Sequence, residues 1–421
     1  MKFSAFGDKF NGPSGIGNLM DDLGRAMASE APMLMLGGGN PGRIPELEAR
    51  LCDELRKIAN DENRFAQVAG AYDAPNGESR FIDALVKLIN TQYNWGISKE
   101  NIAITNGSQN AFFFIFNLFG GKYADGSTRK ILLPLAPEYI GYEDVFVDGQ
   151  HFVANKPTID YLDDDMFKYR VDFDTLEITE DIAAICVSRP TNPTGNVLTD
   201  DEMTRLDEIA RTNDIPLIID KAYGLPFPNI IFSKGTPTWN QNTIMCLSLS
   251  KFGLPGLRTG IVIADTPVID AISALNAITN LSPNSSGAAL VTPLFESGEV
   301  LDLSTNVVRP FYQEKAASAV RYVRDALSEY PVKIHKPEGA LFLWLWFKDL
   351  PITTLELYQR LKNRGVLIIP SQYFFPGIDE DWQHKHECIR LTYSQSEETV
   401  REGIRIIGEE VRAIYDARAC A

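Results

Sequence analysis

The chain is short of the residues that bind metals or cross-link secreted proteins. It has only four histidines, and the one close pair, His384 and His386, lacks the further ligand spacing of a metal site, so no metal centre is expected. Its five cysteines (Cys52, Cys186, Cys246, Cys388 and Cys420) are odd in number and include no C-x-x-C pair. Cys186 and Cys246 fall inside apolar runs and read as small core residues of a reducing compartment. No window of eighteen uninterrupted apolar residues occurs, and the opening Met-Lys-Phe-Ser-Ala-Phe-Gly-Asp lacks the apolar stretch of a secretory leader, so a soluble cytoplasmic protein is expected. Basic residues form no cluster and the formal net charge is −16, which argues against nucleic acid as a partner.

Apolar side chains make up 44% of the 421 residues, enough for a large core and a length that predicts two domains. Residues 1–45 are rich in glycine and proline and read as an arm or loop, in which Gly37, Gly38 and Gly39 serve either a tight turn or close approach to a ligand. Pro45 suits the first turn of a helix that carries Leu47, Leu51, Leu55 and Ile58 on one face. The polar turn at 69–77 holds Tyr72, which meets a ligand, a partner surface or an ordinary half-buried loop site. A short strand over 101–105 then turns through Asn106-Gly-Ser108-Gln109-Asn110 into 111–119, apolar all round and so a buried helix. Its start is either a routine serine cap or an anion site, because the first N–H groups of a helix have no partner within it.

Continuous apolar runs follow at 131–135, 182–187, 215–219, 244–249 and 260–264, with helix-type patterns such as 202–211 between them. Strands covered on both faces, in a mostly parallel α/β sheet, are the expected result. Such sheets bind ligands at the carboxyl ends of their strands. Here the first four runs lead into Pro137-Glu-Tyr139, Asn192-Pro-Thr-Gly195, Asp220-Lys-Ala-Tyr223 and Lys251. An aspartate after one strand signals a turn or a cap, but four polar or aromatic ends together signal a site. Ser248, Ser250 and Arg258 surround Lys251 as an anion cradle beside an amine. An amine desolvated among cations loses basicity and becomes a usable nucleophile toward carbonyls, which suggests a Schiff base to a phosphorylated aldehyde.

In this order the motifs resemble the fold-type I aminotransferases, which use pyridoxal 5′-phosphate. The resemblance runs through Tyr72-x-x-x-x-Gly77, Thr105-Asn-Gly-Ser108-Gln109, Pro137-Glu-Tyr139, Asn192-Pro-Thr-Gly195, Asp220-x-x-Tyr223, Ser248-x-Ser250-Lys251 and Ile389-Arg390-Leu-Thr-Tyr393. Arg258 stands seven residues after Lys251 where many members have eight. The resemblance implies a large domain (46–300) with a mostly parallel, seven-stranded-type sheet sandwiched by helices. It also implies a smaller α+β domain (301–421), joined by the N-terminal arm (1–45).

It implies roles as well. Lys251 would carry the cofactor and move the substrate proton. Asp220 would face the pyridine nitrogen, and Tyr223 and Asn192 the ring's 3′-oxygen, with Tyr139 over the ring. Ser108, Gln109, Ser248, Ser250 and Arg258 would hold the phosphate, with Tyr72 serving the neighbouring subunit of a homodimer. Arg390, Asn192 and Gly39 would meet the substrate. The wording of 37–41, 135–142 and 336–351 is similar to the branch of the family that works on valine and pyruvate. That implies exchange of an amino group between L-valine and pyruvate, giving 3-methyl-2-oxobutanoate and L-alanine. The alternatives are another substrate range, or a β-lyase or decarboxylase with the same cofactor. A transcription regulator with an aminotransferase-like domain would need a basic DNA-binding module, which residues 1–45 do not supply.

Overall fold

The computed structural model describes residues 1–12, 17, 24, 33–162 and 165–419. Much of the expected N-terminal arm (13–16, 18–23 and 25–32) and Cys420 lie outside the described residues. Seven strands form the larger sheet: β1 (Ile102–Thr105), β2 (Thr128–Leu133), β3 (Phe152–Ala154), β4 (Ile182–Ser188), β5 (Leu217–Asp220), β6 (Thr243–Ser248) and β7 (Gly260–Ile263). Their spatial order is β1-β7-β6-β5-β4-β2-β3, and the two-residue segment Gly121–Lys122 pairs with the start of β2 as an eighth strand. Neighbours from β6 through β3 run parallel, while β7 is antiparallel to both β6 and β1.

The continuous apolar runs have the predicted cause. In β6, Ile244 and Cys246 enter the cluster under the helices Ser108–Phe119 and Thr266–Asn280, while Met245 and Leu247 enter the cluster on the opposite face. Both faces of the strand are dry, and burying each such side chain stabilises the fold by about 1.5–3 kcal/mol. Cys186 and Cys246 are fully buried and unpaired, as core residues. The helix Asp200–Thr212 starts at a reciprocal cap, where Thr199 N donates to Glu202 at 2.8 Å and Glu202 N donates to Thr199 Oγ1 at 3.1 Å. The helix Ser108–Phe119 departs from the all-round burial its composition suggests, because Leu118 is exposed and Phe113 and Phe119 are only partly covered.

A second, six-stranded sheet has the order Ile369–Pro370, Cys388–Thr392, Phe342–Phe347, Val332–His335, Met166–Arg170 and Thr158–Tyr161. The last two strands come from the connection between β3 and β4 and join this sheet by pairing. They are short and half polar, so no continuous apolar run marked them. Leu34–Met35 pairs in parallel with Val366–Leu367, and Thr392 N donates to Leu36 O at 2.8 Å, which laces the end of the arm to the C-terminal part. The first twelve residues do otherwise: Lys9 donates to the carbonyls of Phe146 and Gly149, beside the larger sheet.

One buried ion pair ties the second sheet to the larger one. Lys168, on Met166–Arg170, pairs with Glu338, which also accepts from Val197 N at 3.2 Å just past the Asn192–Gly195 turn. Removing one partner of a buried pair strands the other charge. Glu338→Gln is therefore expected to lower unfolding stability by about 3 kcal/mol in a urea titration; a loss below about 1 kcal/mol would mean that water screens the pair.

Candidate active site

The carboxyl ends of β4, β5 and β6, the turn after β2 and the start of the helix Ser108–Phe119 open onto one cavity of about 190 Å³. Twelve of the thirteen residues singled out from the sequence line it: Gly39, Ser108, Gln109, Tyr139, Asn192, Asp220, Tyr223, Ser248, Ser250, Lys251, Arg258 and Arg390. Tyr72 is elsewhere and stands 79% exposed.

Lys251 follows β6 in a single 3-10 turn closed by Gly253 at φ 94°. Its Nζ donates to Gly39 O at 2.6 Å and lies 5.4 Å from the centre of the Tyr223 ring. Burial lowers its pKa to about 8, helped by the Arg390 and Arg258 charges and opposed by Asp220. Asp220 ends β5. Its Oδ1 accepts from Ala222 N at 2.8 Å and its Oδ2 from Tyr142 OH at 2.9 Å, and burial raises its pKa to about 6.

Arg390 is buried in the strand Cys388–Thr392, at 4% exposure, and among the described residues has no carboxylate partner. Nη1 donates to Asn192 Oδ1 and Nη2 to Gly37 O, both at 2.7 Å. The guanidinium stacks 4.2 Å from the Phe342 ring centre and 5.2 Å from that of Phe374, and Nε has no partner among the described residues. Burial lowers its pKa to about 10. A buried guanidinium held only by neutral acceptors still has charge to offer a carboxylate.

Gly107, at φ 90°, shapes the opposite end of the cavity. A Cβ there would lie 2.2 Å from Arg258 Nη2, so glycine is what lets the guanidinium sit against the helix start. Gly107 is itself the cap and Ser108 the first helical residue, which corrects the expectation of a serine cap. The Gln109 side chain turns aside to donate to Gly141 O at 2.8 Å, leaving its backbone N–H at the helix start. Arg258 donates to Pro255 O at 3.1 Å and lies 3.5 Å from Ser250 Oγ.

Three site residues were not found from the sequence. Tyr142 closes the stretch 135–142, and nothing local shows that its hydroxyl reaches Asp220. Ser188 ends β4 opposite Asp220 in the parallel register, so strand pairing would have exposed it. Glu138, beside Tyr139, accepts from Ser188 N at 3.0 Å.

The sequence model described as aminotransferase class I and II matches residues 42–407. The chain belongs to that family. It is 48% identical to the valine–pyruvate aminotransferase of Escherichia coli (strain K12) over 418 residues, covering 99% of both chains. The crystal structure of valine–pyruvate aminotransferase from Salmonella typhimurium LT2 superposes with a TM-score of 0.88 at 47% identity, covering 96% of this chain and all of that one. A solved chain from Psychrobacter arcticum 273-4 gives a TM-score of 0.97 at 55% identity, with 99% of each covered. The expected fold-type I architecture is thus the observed one.

Aminotransferases of this class depend on pyridoxal 5′-phosphate. The residues present fit that molecule: an amine of lowered basicity, a half-buried carboxylate for the ring nitrogen, and an anion cradle of helix N–H groups and Arg258 that a Cβ on Gly107 would fill. Among the described residues, no group of three or more histidine, cysteine or acidic side chains is placed to hold a metal. His384, in the expected non-ligand pair, is buried against the Tyr169 hydroxyl and its pKa falls to about 3. No helix of the described residues is long and apolar enough to cross a membrane.

Proposed function

We propose that this protein transfers an amino group between L-valine and pyruvate, giving 3-methyl-2-oxobutanoate and L-alanine, with pyridoxal 5′-phosphate held at Lys251. The observation that carries the reading is 48% identity to an enzyme of that name over 99% of both chains. The charges agree with it. Among the described residues the cavity is lined by three cationic side chains, Lys251, Arg258 and Arg390. Two of them serve the cofactor, so one remains for a substrate carboxylate, and all four proposed reactants carry a single carboxylate.

When bound, the cofactor supplies an electron sink for the pair left as the Cα proton departs. Asp220 keeps the pyridine nitrogen protonated, and its own position is fixed by Tyr142 OH and Ala222 N. Arg390 grips the substrate carboxylate with its two Nη groups, with Asn192 steadying the guanidinium. Lys251, whose lowered basicity leaves a free amine available, would move the proton at Cα. Ser108, Gln109, Ser248, Ser250 and Arg258 would hold the phosphate, Tyr223 and Asn192 would serve the 3′-oxygen, and Tyr139 would serve the ring.

Tyr72 points to a homodimer in which each chain serves its neighbour's phosphate site. Phe65, Ile278 and Leu281 are also exposed, and Asn276 Nδ2, donating to Pro75 O at 2.8 Å, joins the Tyr72 turn to the helix that carries Ile278.

Incubation with L-valine and pyruvate tests the reading: stoichiometric L-alanine is expected, whereas release of ammonia or CO₂ would move the chain to a β-lyase or decarboxylase. The lowered basicity of Lys251 gives a second expectation. Below about pH 8 the free-amine fraction climbs about tenfold per unit, and above it levels off. The rate at which the apoprotein captures pyridoxal 5′-phosphate, followed by stopped-flow absorbance, should trace that curve. A rate that keeps rising to the pKa of an ordinary lysine would count against a desolvated amine.

A further inference from the structure

Behind Asp220 lies a second carboxyl group that the amino-transfer reading leaves without a role. Glu138, in the turn after β2, is 2% exposed. Its Oε1 accepts from Ser188 N at 3.0 Å, and its Oε2 lies 2.6 Å from Ser188 Oγ. Ser188 Oγ in turn lies 3.4 Å from Tyr142 OH, which donates to Asp220 Oδ2 at 2.9 Å. Among the described residues no cation pairs with Glu138, and the charge that acts on it is the Asp220 carboxylate, of like sign.

The hydrogens along this path decide its state. With Glu138 ionised, the Ser188 hydroxyl hydrogen goes to Glu138 and that of Tyr142 to Asp220, so the contact between Ser188 and Tyr142 carries none. With Glu138 protonated, its hydrogen goes to Ser188, that of Ser188 to Tyr142 and that of Tyr142 to Asp220. Three hydrogens then fill three links in one direction, ending on a carboxylate, and buried polar groups stay satisfied.

We propose that Glu138 is a positioning residue that carries a proton at neutral pH and heads a one-way donor chain, through Ser188 and Tyr142, that holds Asp220 ionised toward the cofactor nitrogen. The inference rests on the proposed reading of Asp220. Burial supports it by raising the Glu138 pKa to about 8, with Asp220 pushing the same way. The groups facing Glu138 are Asp220 from β5, Ser188 and Cys186 from β4, and Tyr139 and Tyr142 from its own turn. The 371–374 segment presents the Phe374 carbonyl, which accepts the Glu138 N–H at 2.8 Å. Lys251 bears on Asp220 from the cavity side, so of the two acids it is Asp220 that gives up its proton.

Infrared difference spectroscopy of the holoenzyme, parent against E138Q, reads the proton directly. A buried protonated-carboxyl band is expected in the parent at neutral pH, absent from E138Q and fading as the pH passes about 8. Fluorescence titration with pyridoxal 5′-phosphate reads the coupling. E138Q, whose amide can donate to Ser188 without titrating, should bind within about twofold of the parent, and E138A and Y142F about tenfold more weakly. A parent without the band, a band that survives in E138Q, or an E138A variant that binds as tightly as the parent would overturn the proposal. The band comparison needs only the parent and E138Q, so it decides even where E138A fails to fold. A parent that does not bind pyridoxal 5′-phosphate at all would instead overturn the reading of the site.

Discussion

Replacing Lys251 by alanine should lower amino-transfer turnover by about 10⁴-fold or more. A positioned proton-transferring group alone contributes about 10²–10⁴-fold, and this amine is also the one placed to attack a carbonyl. The variant should keep its fold, because Lys251 donates one hydrogen bond, to Gly39 O, in a cavity where its charge is unwelcome. Borohydride treatment with pyridoxal 5′-phosphate should fix the pyridoxyl group to the Lys251 peptide of the parent, and mass spectrometry should find no such peptide in the variant. Label on another lysine of the parent, or turnover in K251A within about tenfold of it, would remove Lys251 from the chemistry.

Asp220→Asn separates charge from shape. The amide fills the same space and its oxygen can still accept from Tyr142 or Ala222 N, but it cannot keep a pyridine nitrogen protonated. Turnover should fall by about 10²–10³-fold, the usual effect of removing one preorganised electrostatic contact, with a much smaller change in KM. Stability should move the other way. Asp220 has a folded pKa of about 6, above its unfolded value, so its cost to the fold is absent below the unfolded pKa and complete above about 6. At neutral pH the apo variant should therefore be more stable than the apo parent, by up to about 3 kcal/mol, and the difference should shrink as the solution is made acidic. A variant both inactive and less stable would mean that Asp220 acts mainly as a structural acceptor.

Much of the larger sheet was legible because its strands are buried on both faces, so that β4 and β6 stand out as uninterrupted apolar runs. The cavity was legible for a related reason: in a parallel sheet the residue after each strand faces one edge, so four separate strand ends can be read as one place. Strands that are short, half polar and paired far along the chain were not. Thr158–Tyr161 has one partly covered and three exposed residues, and its place depends on Met166–Arg170, which depends in turn on Val332–His335. The site residues that escaped were those whose meaning lies in a partner, as with Tyr142, whose hydroxyl matters only because β5 ends 78 residues later beside it. Gly107 escaped as a cap because Ser108, one residue on, has the more familiar chemistry.

The glycine segment has its own effect on the two cations. Gly37 O accepts from Arg390 Nη2 and Gly39 O from Lys251 Nζ, so one short segment sets where both cations point and leaves each of them further N–H groups for an incoming molecule. A carboxylate suits Arg390 because it brings a full negative charge and a planar pair of oxygens that match the guanidinium fork, neither of which a peptide oxygen offers. An amino acid amide or ester offers Arg390 nothing better than its own backbone does. Both contacts are made by main-chain atoms, so side-chain mutation of the segment cannot remove them.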